Sequence, residues 1–217
     1  MMLQFHNFAK AYGVQPVLQI EKLALPSGIH WIQGDNGTGK STLLKALAGL
    51  IHFKGTVLLD GDIDLKKQPL AYRKRVNFAE SEAAFPLFLN GQDMIKLFMK
   101  AKNATQEQLW ALINGFGMSD YLTQPLSSYS AGMLKKLSLV LAFLGKPSLL
   151  LLDEPFITLD QQAIEQLAHW IKERHEQQQI NFILTSHQAI PSNVPIDYTF
   201  KLINQGLTPL NSAYGIR

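Results

Sequence analysis

The sequence predicts an α/β protein, with a mainly parallel sheet covered by helices on both faces and a helical lobe inserted into it. Three observations carry that expectation. The run "PSLLLLDEP" (147–155) is almost uninterruptedly apolar, as a strand buried on both faces must be, and "INFILTSH" (180–187) has the same texture. Between them Ile164, Leu167, Ala168 and Ile171 recur at i, i+3, i+4 and i+7, one face of a helix. Residues from about 88 to 145 read as longer helical patterns set between two stretches of strands.

The elements follow in order. "LQFHNF" (3–8), "HWIQG" (30–34) and "GTVLLDG" (55–61) are short β-rich runs bounded by turn residues, with Asp60-Gly61 marking a tight turn. "KSTLLKALAGL" (40–50) puts Leu43, Leu44 and Leu47 on one helical face, with Gly49 as its stop. After "RVNFAE" (75–80) come the helix candidates "FPLFLNGQDMIKLFMKAK" (85–102) and "TQEQLWALINGFG" (105–117). "YSAGMLKKL" (129–137) opens a further helix, with Ser130 as N-cap and Leu134, Leu137 and Leu141 as an apolar stripe. Its bare Ser-Ala-Gly start is either a turn feeding a core helix or a surface that something must approach closely.

A chain of 217 residues, 47% hydrophobic, has enough apolar side chains for one folded unit, either a single compact domain or one domain with two lobes. Its net charge of +3 is spread along the sequence, and the densest basic cluster, "YRKR" (72–75), is too short to argue for a nucleic-acid partner. Cysteine is absent, which excludes disulfides and thiolate metal sites. The longest greasy stretch, "LSLVLAFL" (137–144), is cut by Gly145-Lys146-Pro147, far short of the roughly 20 apolar residues of a membrane span. "MMLQFHNFAK" lacks the apolar core of a signal peptide, so a cytoplasmic product is expected.

"GDNGTGKST" (34–42) carries the chemistry, because G-x-x-x-x-G-K-[ST] between a strand and a helix is a phosphate loop. Gly34, Gly37 and Gly39 free the backbone of Asp35, Asn36 and Thr38 to turn successive N–H groups inward around a phosphate, and the following helix start adds its dipole. Lys40 can reach the β- and γ-phosphates, the Ser41 hydroxyl can ligate Mg²⁺, and Thr42 continues the helix turn. A phosphoryl-transfer site also needs a carboxylate at the end of a buried strand, and Asp153 closes the leucine run in that way, with Glu154 beside it. Asp153 is expected to hold the metal through water while Glu154 polarises the attacking water. His187 ends the next buried strand, at the edge where parallel sheets place their ligands.

Taken together these residues resemble the nucleotide-binding domains of ABC transporters. The resemblance rests on the phosphate loop, the signature-like "YSAGM" (129–133), the Walker B run "LLLLDEP" (149–155), the D-loop-like "ITLD" (157–160) and the switch "TSH" (185–187), in that order along nearly the whole chain. It implies a P-loop NTPase fold, a RecA-like core of mainly parallel sheet plus an antiparallel β subdomain (1–84 and 147–217) with a helical lobe (85–146). It implies an ATPase that takes ATP and Mg²⁺ and forms a dimer, the expected partners being two copies of this chain, in which Ser130, Ala131 and Gly132 of one copy grip the ATP held by the other's phosphate loop. Asp160 would sit at the seam, His187 would reach the γ-phosphate, and Tyr12 would stack on adenine, unless it is a core tyrosine.

The resemblance further implies separately encoded membrane-spanning permease subunits, and a place at the cytosolic face of the membrane. "AAFPLFLN" (83–90) is either their docking surface or part of the lobe core. Three departures stand out. Glu80 takes the place of a glutamine that senses metal and attacking water, which makes it a candidate metal ligand, with Glu82 as its rival. Ala131 and Met133 replace the commoner glycine and glutamine, and Lys136 replaces a frequent arginine, a pattern closer to exporter-type domains. Two other functions stay open: a non-transport ATP-dependent clamp or switch, and a small-molecule kinase.

Overall fold

The computed structural model describes residues 2–210. Two sheets organise them. The first is antiparallel, in the order β2-β1-β4-β5, from β1 (Leu3–Tyr12), β2 (Gln15–Leu25), β4 (Lys54–Leu59) and the short β5 (Ile63–Asp64). The second runs β10-β9-β3-β8-β7-β6. In it β3 (Ile29–Gln33), β6 (Val76–Ala79), β7 (Leu149–Asp153), β8 (Asn181–Ser186) and β9 (Tyr198–Ile203) are parallel, and β10 (Gly206–Pro209) closes one edge antiparallel to β9.

Strand β7 shows why its sequence is continuous leucine. Leu150 and Leu152 enter the apolar cluster that contains the helical lobe, while Leu149 and Leu151 enter the cluster shared with the antiparallel sheet and α1 (Lys40–Leu47). Both faces are covered, so no position can be polar until the strand ends. Each of these leucines is fully buried and contributes roughly 2 kcal/mol. Strand β8 alternates likewise, with Phe182 and Leu184 on one side and Ile183 on the other.

The helices match the apolar periodicities with two corrections. The run 85–90 is not helical: α3 begins at Gly91 and ends at Lys102, because Asn90 accepts from the Asp93 N–H and the Asp93 carboxylate accepts from the Asn90 N–H, a reciprocal cap that fixes the start. The helix α2 (Pro69–Arg75), with proline in its first turn, contains the "YRKR" cluster, whose Tyr72 is fully buried. Helix α4 (Gln106–Gly115) is capped by Thr105, and α6 (Gln161–Gln178) by Asp160. Helix α5 (Ala131–Phe143) is capped by the Ser130 hydroxyl, which accepts from the Met133 N–H. Its second half leaves the lobe and lies on β6 and β7, held by Asn77, whose amide donates to the carbonyls of Ala142 and Leu144. No helix among the described residues is long and apolar enough to cross a membrane.

The β1–β4 pairing carries an irregularity that depends on one glycine. The register shifts between His6 and Ala9, Asn7 adopts φ 49°, and Gly55 on β4 faces it at φ 83°. A methyl group at Gly55 would overlap the Asn7 and His6 carbonyls outright. Gly55→Ala is therefore expected to cost about 2–4 kcal/mol in urea denaturation. An unchanged midpoint would show that the Asn7 turn yields.

Candidate functional site

The site is assembled at the carboxyl ends of β3, β7 and β8. These three neighbours in the sheet release the phosphate loop, Asp153-Glu154 and His187 side by side. The phosphate loop, Glu154 and His187 line a cavity of about 520 Å³, together with Tyr12 and Val17 from the antiparallel sheet and Ser81 and Glu82 from the link after β6, with Asp153 buried behind Glu154.

The phosphate loop is shaped by glycines of two kinds. Gly37 and Gly39 take φ 81° and 104°, where a side chain would be strained. Gly34 has ordinary backbone, but a Cβ there would press on Thr38 Oγ1 at 2.8 Å, so its smallness serves packing. Thr38 closes the turn by donating to the Asp35 carbonyl at 2.9 Å. Asp35, Asn36 and Gly37 are exposed at the tip. Lys40 is nearly buried and folds back over the loop, donating to the carbonyls of Gly34 at 2.7 Å and Asp35 at 3.1 Å. Ser41 and Thr42, in the first turn of α1, border the same cavity.

The acid pair divides its work through one threonine. Thr185 stands opposite Asp153 in the parallel register, and its hydroxyl donates to Asp153 Oδ1 at 2.6 Å while accepting from the Glu154 N–H at 3.2 Å. Asp153 is fully buried, and its other oxygen, Oδ2, has no hydrogen-bond partner. A buried carboxylate oxygen left bare is costly unless something positive or a water meets it, which fits a hydrated cation. Among the described residues no cluster of three or more His, Asp or Glu side chains could hold a metal by itself. A cation here would need donors beyond the described carboxylate and imidazole side chains.

Glu154 adopts φ 45°, a left-handed conformation that costs a non-glycine residue on the order of 1 kcal/mol or more. The turn carries its carboxylate to His187 and Lys40. Oε1 accepts from the His187 N–H at 3.1 Å and lies 2.9 Å from His187 Nδ1, and Lys40 Nζ is 3.6 Å away. A carboxylate only accepts, so the proton of that pair sits on His187 Nδ1 and leaves Nε2 for another partner. Lysine, carboxylate and imidazole thus form one line through the cavity.

A family model described as ABC transporter matches residues 22–157, more than half of the chain. The chain belongs to the ABC transporter family. It is similar to the cytochrome c biogenesis ATP-binding export protein CcmA of Histophilus somni, with 32% identity over 182 residues, 81% of this chain and 82% of the relative. It is also similar to the zinc import ATP-binding protein ZnuC of Hydrogenovibrio crunogenus, with 33% identity over 183 residues, 83% of this chain and 70% of the relative. A solved structure titled "Structure of ATP binding subunit of ABC transporter" superposes with a TM-score of 0.82 at 25% identity, covering 95% of this chain and 88% of that one. This ABC transporter protein is an ATP-binding ATPase subunit, and its relatives give no support to the clamp reading.

The remaining expected positions of the ABC subunit fall as follows. Tyr12 is 54% exposed at the cavity rim, so it is not a core tyrosine. Ser130 and Ala131 are exposed at the start of α5, outside the cavity of their own chain. Gly132 packs so closely on the loop before α6 that a Cβ would sit 2.8 Å from the Thr158 carbonyl. Asp160 is exposed, caps α6, and accepts from Lys136 at 2.6 Å, a bond that holds its carboxyl below the usual range.

Glu80 departs from expectation. Its carboxylate pairs with Lys45 on α1, and it lines a neighbouring cavity, whereas Ser81 and Glu82 face the phosphate loop. The bond to Glu80 raises the pKa of Lys45. The structure therefore does not bring Glu80 to the cavity as a metal ligand, because strand β6 ends with that side chain turned toward α1.

Two contributors escaped the sequence reading. Thr185 is one, legible only as a hydroxyl two residues before His187 on a buried strand. Lys135 is the other: it is 3% exposed, and burial lowers its pKa to about 8. Its signal was its place four residues before Leu139 and seven before Ala142, on the face of α5 that turns inward.

Proposed function

We propose that this ATPase hydrolyses ATP in a dimer that encloses two nucleotides, each gripped by the phosphate loop of one copy and by Ser130, Ala131 and Gly132 of the other. The observation that carries the reading is the contact of Lys40, Glu154 and His187 in one cavity, while the bare start of α5 lies outside its lining. A phosphate-binding helix terminus that serves no site of its own chain is suited to another copy's ligand.

In this reading the phosphate loop and Lys40 take the triphosphate, Tyr12 stacks on the base, Glu154 orients and deprotonates water, and His187 stands beside the γ-phosphate with its Nδ1 held by Glu154. Mg²⁺ held by Ser41 and, through water, by Asp153 would screen the phosphate charge. Asp160 sits at the seam. The unit comprises the core (1–84, 147–217) and lobe (85–146).

Membrane-spanning permease subunits are the proposed partners, which would place the protein at the cytosolic face of a membrane. Leu87 and Phe88 are 56% and 85% exposed, and Ala83, Ala84 and Phe85 just before them line a cavity of about 480 Å³ with residues of β6, α3 and α5, so this face suits a partner's cytosolic helix.

The absence of native cysteine makes the dimer directly testable. With Asn36→Cys and Ser130→Cys placed together in a Glu154→Gln background, ATP is expected to promote a crosslink between separate molecules. A crosslink yield that ATP leaves at its nucleotide-free level rejects the shared site.

A further inference from the structure

Helix α5 sends one lysine into the interior where a hydrophobic residue would be expected. Lys135 lies on the face that carries Leu139 and Ala142, and its ammonium makes no direct ion pair among the described residues, the Asp153, Glu154 and Glu80 carboxylates acting on it only from further off. It ends on three backbone carbonyls, Asp153 at 2.9 Å and Glu80 and Ser81 at 3.4 Å each. A buried charge of this kind is a poor stabiliser, since an apolar side chain of similar volume often serves the fold as well or better. Its use must be sought in what it holds.

What it holds is the peptide between Asp153 and Glu154. The carbonyl of that peptide accepts from Lys135, and its N–H donates to Thr185 Oγ1 at 3.2 Å. Gripped at both ends, the peptide plane cannot turn, and Glu154 is kept at φ 45°, the conformation that aims its carboxylate at His187 and Lys40. The same ammonium reaches the link after β6. That link is also tied to α1, where Glu80 pairs with Lys45. Lys135 therefore joins the helix that begins at Ser130 to the ends of β6 and β7.

We propose that Lys135 is a positioning residue for ATP hydrolysis, holding the strained Asp153–Glu154 peptide and making the signature helix, the acid pair and the β6 link one mechanical unit. It does not line the cavity of the phosphate loop. The proposal rests on the reading of Glu154 as the group that activates water.

The test is steady-state ATPase kinetics and calorimetric ATP binding on the full chain carrying Lys135→Met, Lys135→Gln or Lys135→Arg, with Glu154→Gln in the same assays. Lys135→Met is expected to lower kcat by about tenfold or more while the nucleotide Kd stays within about twofold. Lys135→Gln, which keeps a donor, is expected between Met and wild type, and Lys135→Arg to recover most of the rate. A wild-type kcat in Lys135→Met overturns the proposal, as does an affinity that falls in step with the rate. If neither neutral variant folds while Lys135→Arg does, the lysine is a fold determinant and the proposal is rejected. Wild-type turnover in Glu154→Gln would instead sink the underlying assignment of the acid pair.

Discussion

Glu154→Gln is expected to lower the turnover of ATP by roughly 10²–10³-fold, the usual effect of removing one positioned charged group from a site of this kind. Affinity for ATP is expected to hold or to rise slightly. The structure supplies both halves of that expectation. Oε1 accepts from the His187 N–H at 3.1 Å and faces Nδ1 at 2.9 Å, while Oε2 is a longer second acceptor of that N–H at 3.4 Å, so a glutamine can keep its carbonyl oxygen at the Oε1 place and lose only the longer contact where its amide replaces Oε2. What the amide lacks is basicity. It also lacks charge, and the loss of a carboxylate 3.6 Å from Lys40 frees that ammonium for phosphate and removes repulsion against a polyanion. The variant should bind, stall, and accumulate as dimer in ATP on size-exclusion chromatography. Turnover at the wild-type rate would show that another group activates water.

The ease of reading the sequence tracked how completely each segment is enclosed. Strand β7 was legible because enclosure on both faces leaves no choice of residue, and Asp153 stood out as the first polar position after Leu152. The phosphate loop was legible because its glycines answer to fixed backbone demands. Strand β2 (QPVLQIEKLAL) was not, since an edge strand of the antiparallel sheet carries polar residues over much of its length. Strands β9 and β10, at the opposite edge of the parallel sheet, were missed for the same reason.

Direction was harder than position. Distance along the chain put Glu80 at the right strand end, but one step of a strand reverses the side chain, and the carboxylate turned to Lys45. Lys135 was passed over for a related reason. A lysine beside an apolar stripe reads as solvated, yet the helix turns that position inward, and only the three carbonyls gathered there reveal why it is charged.

Lys40→Ala is the second large effect, and it should act on binding before chemistry. The ammonium is 6% exposed and already committed to the Gly34 and Asp35 carbonyls, so the loop is held in its phosphate-ready curve by the group that will meet the phosphate. Alanine removes three things together: the positive charge at the floor of the cavity, the donor that ties the loop, and the partner that offsets Glu154. Hydrogen bonds to charged groups are each worth about 1.5–3 kcal/mol. Losing the phosphate contacts should therefore raise the ATP dissociation constant by roughly 100-fold, or about 2.7 kcal/mol. The carboxylate left beside the empty floor adds to this, because Glu154 would then repel the triphosphate without the lysine that offsets it. Combining Lys40→Ala with Glu154→Gln should for that reason recover part of the lost affinity, a non-additivity expected of groups in contact. Calorimetric titration of the two single variants and the double variant measures it. Equal affinity in wild type and Lys40→Ala would show that this loop does not carry the phosphates, and strict additivity would show that the 3.6 Å approach of lysine and glutamate has no energetic consequence for the ligand.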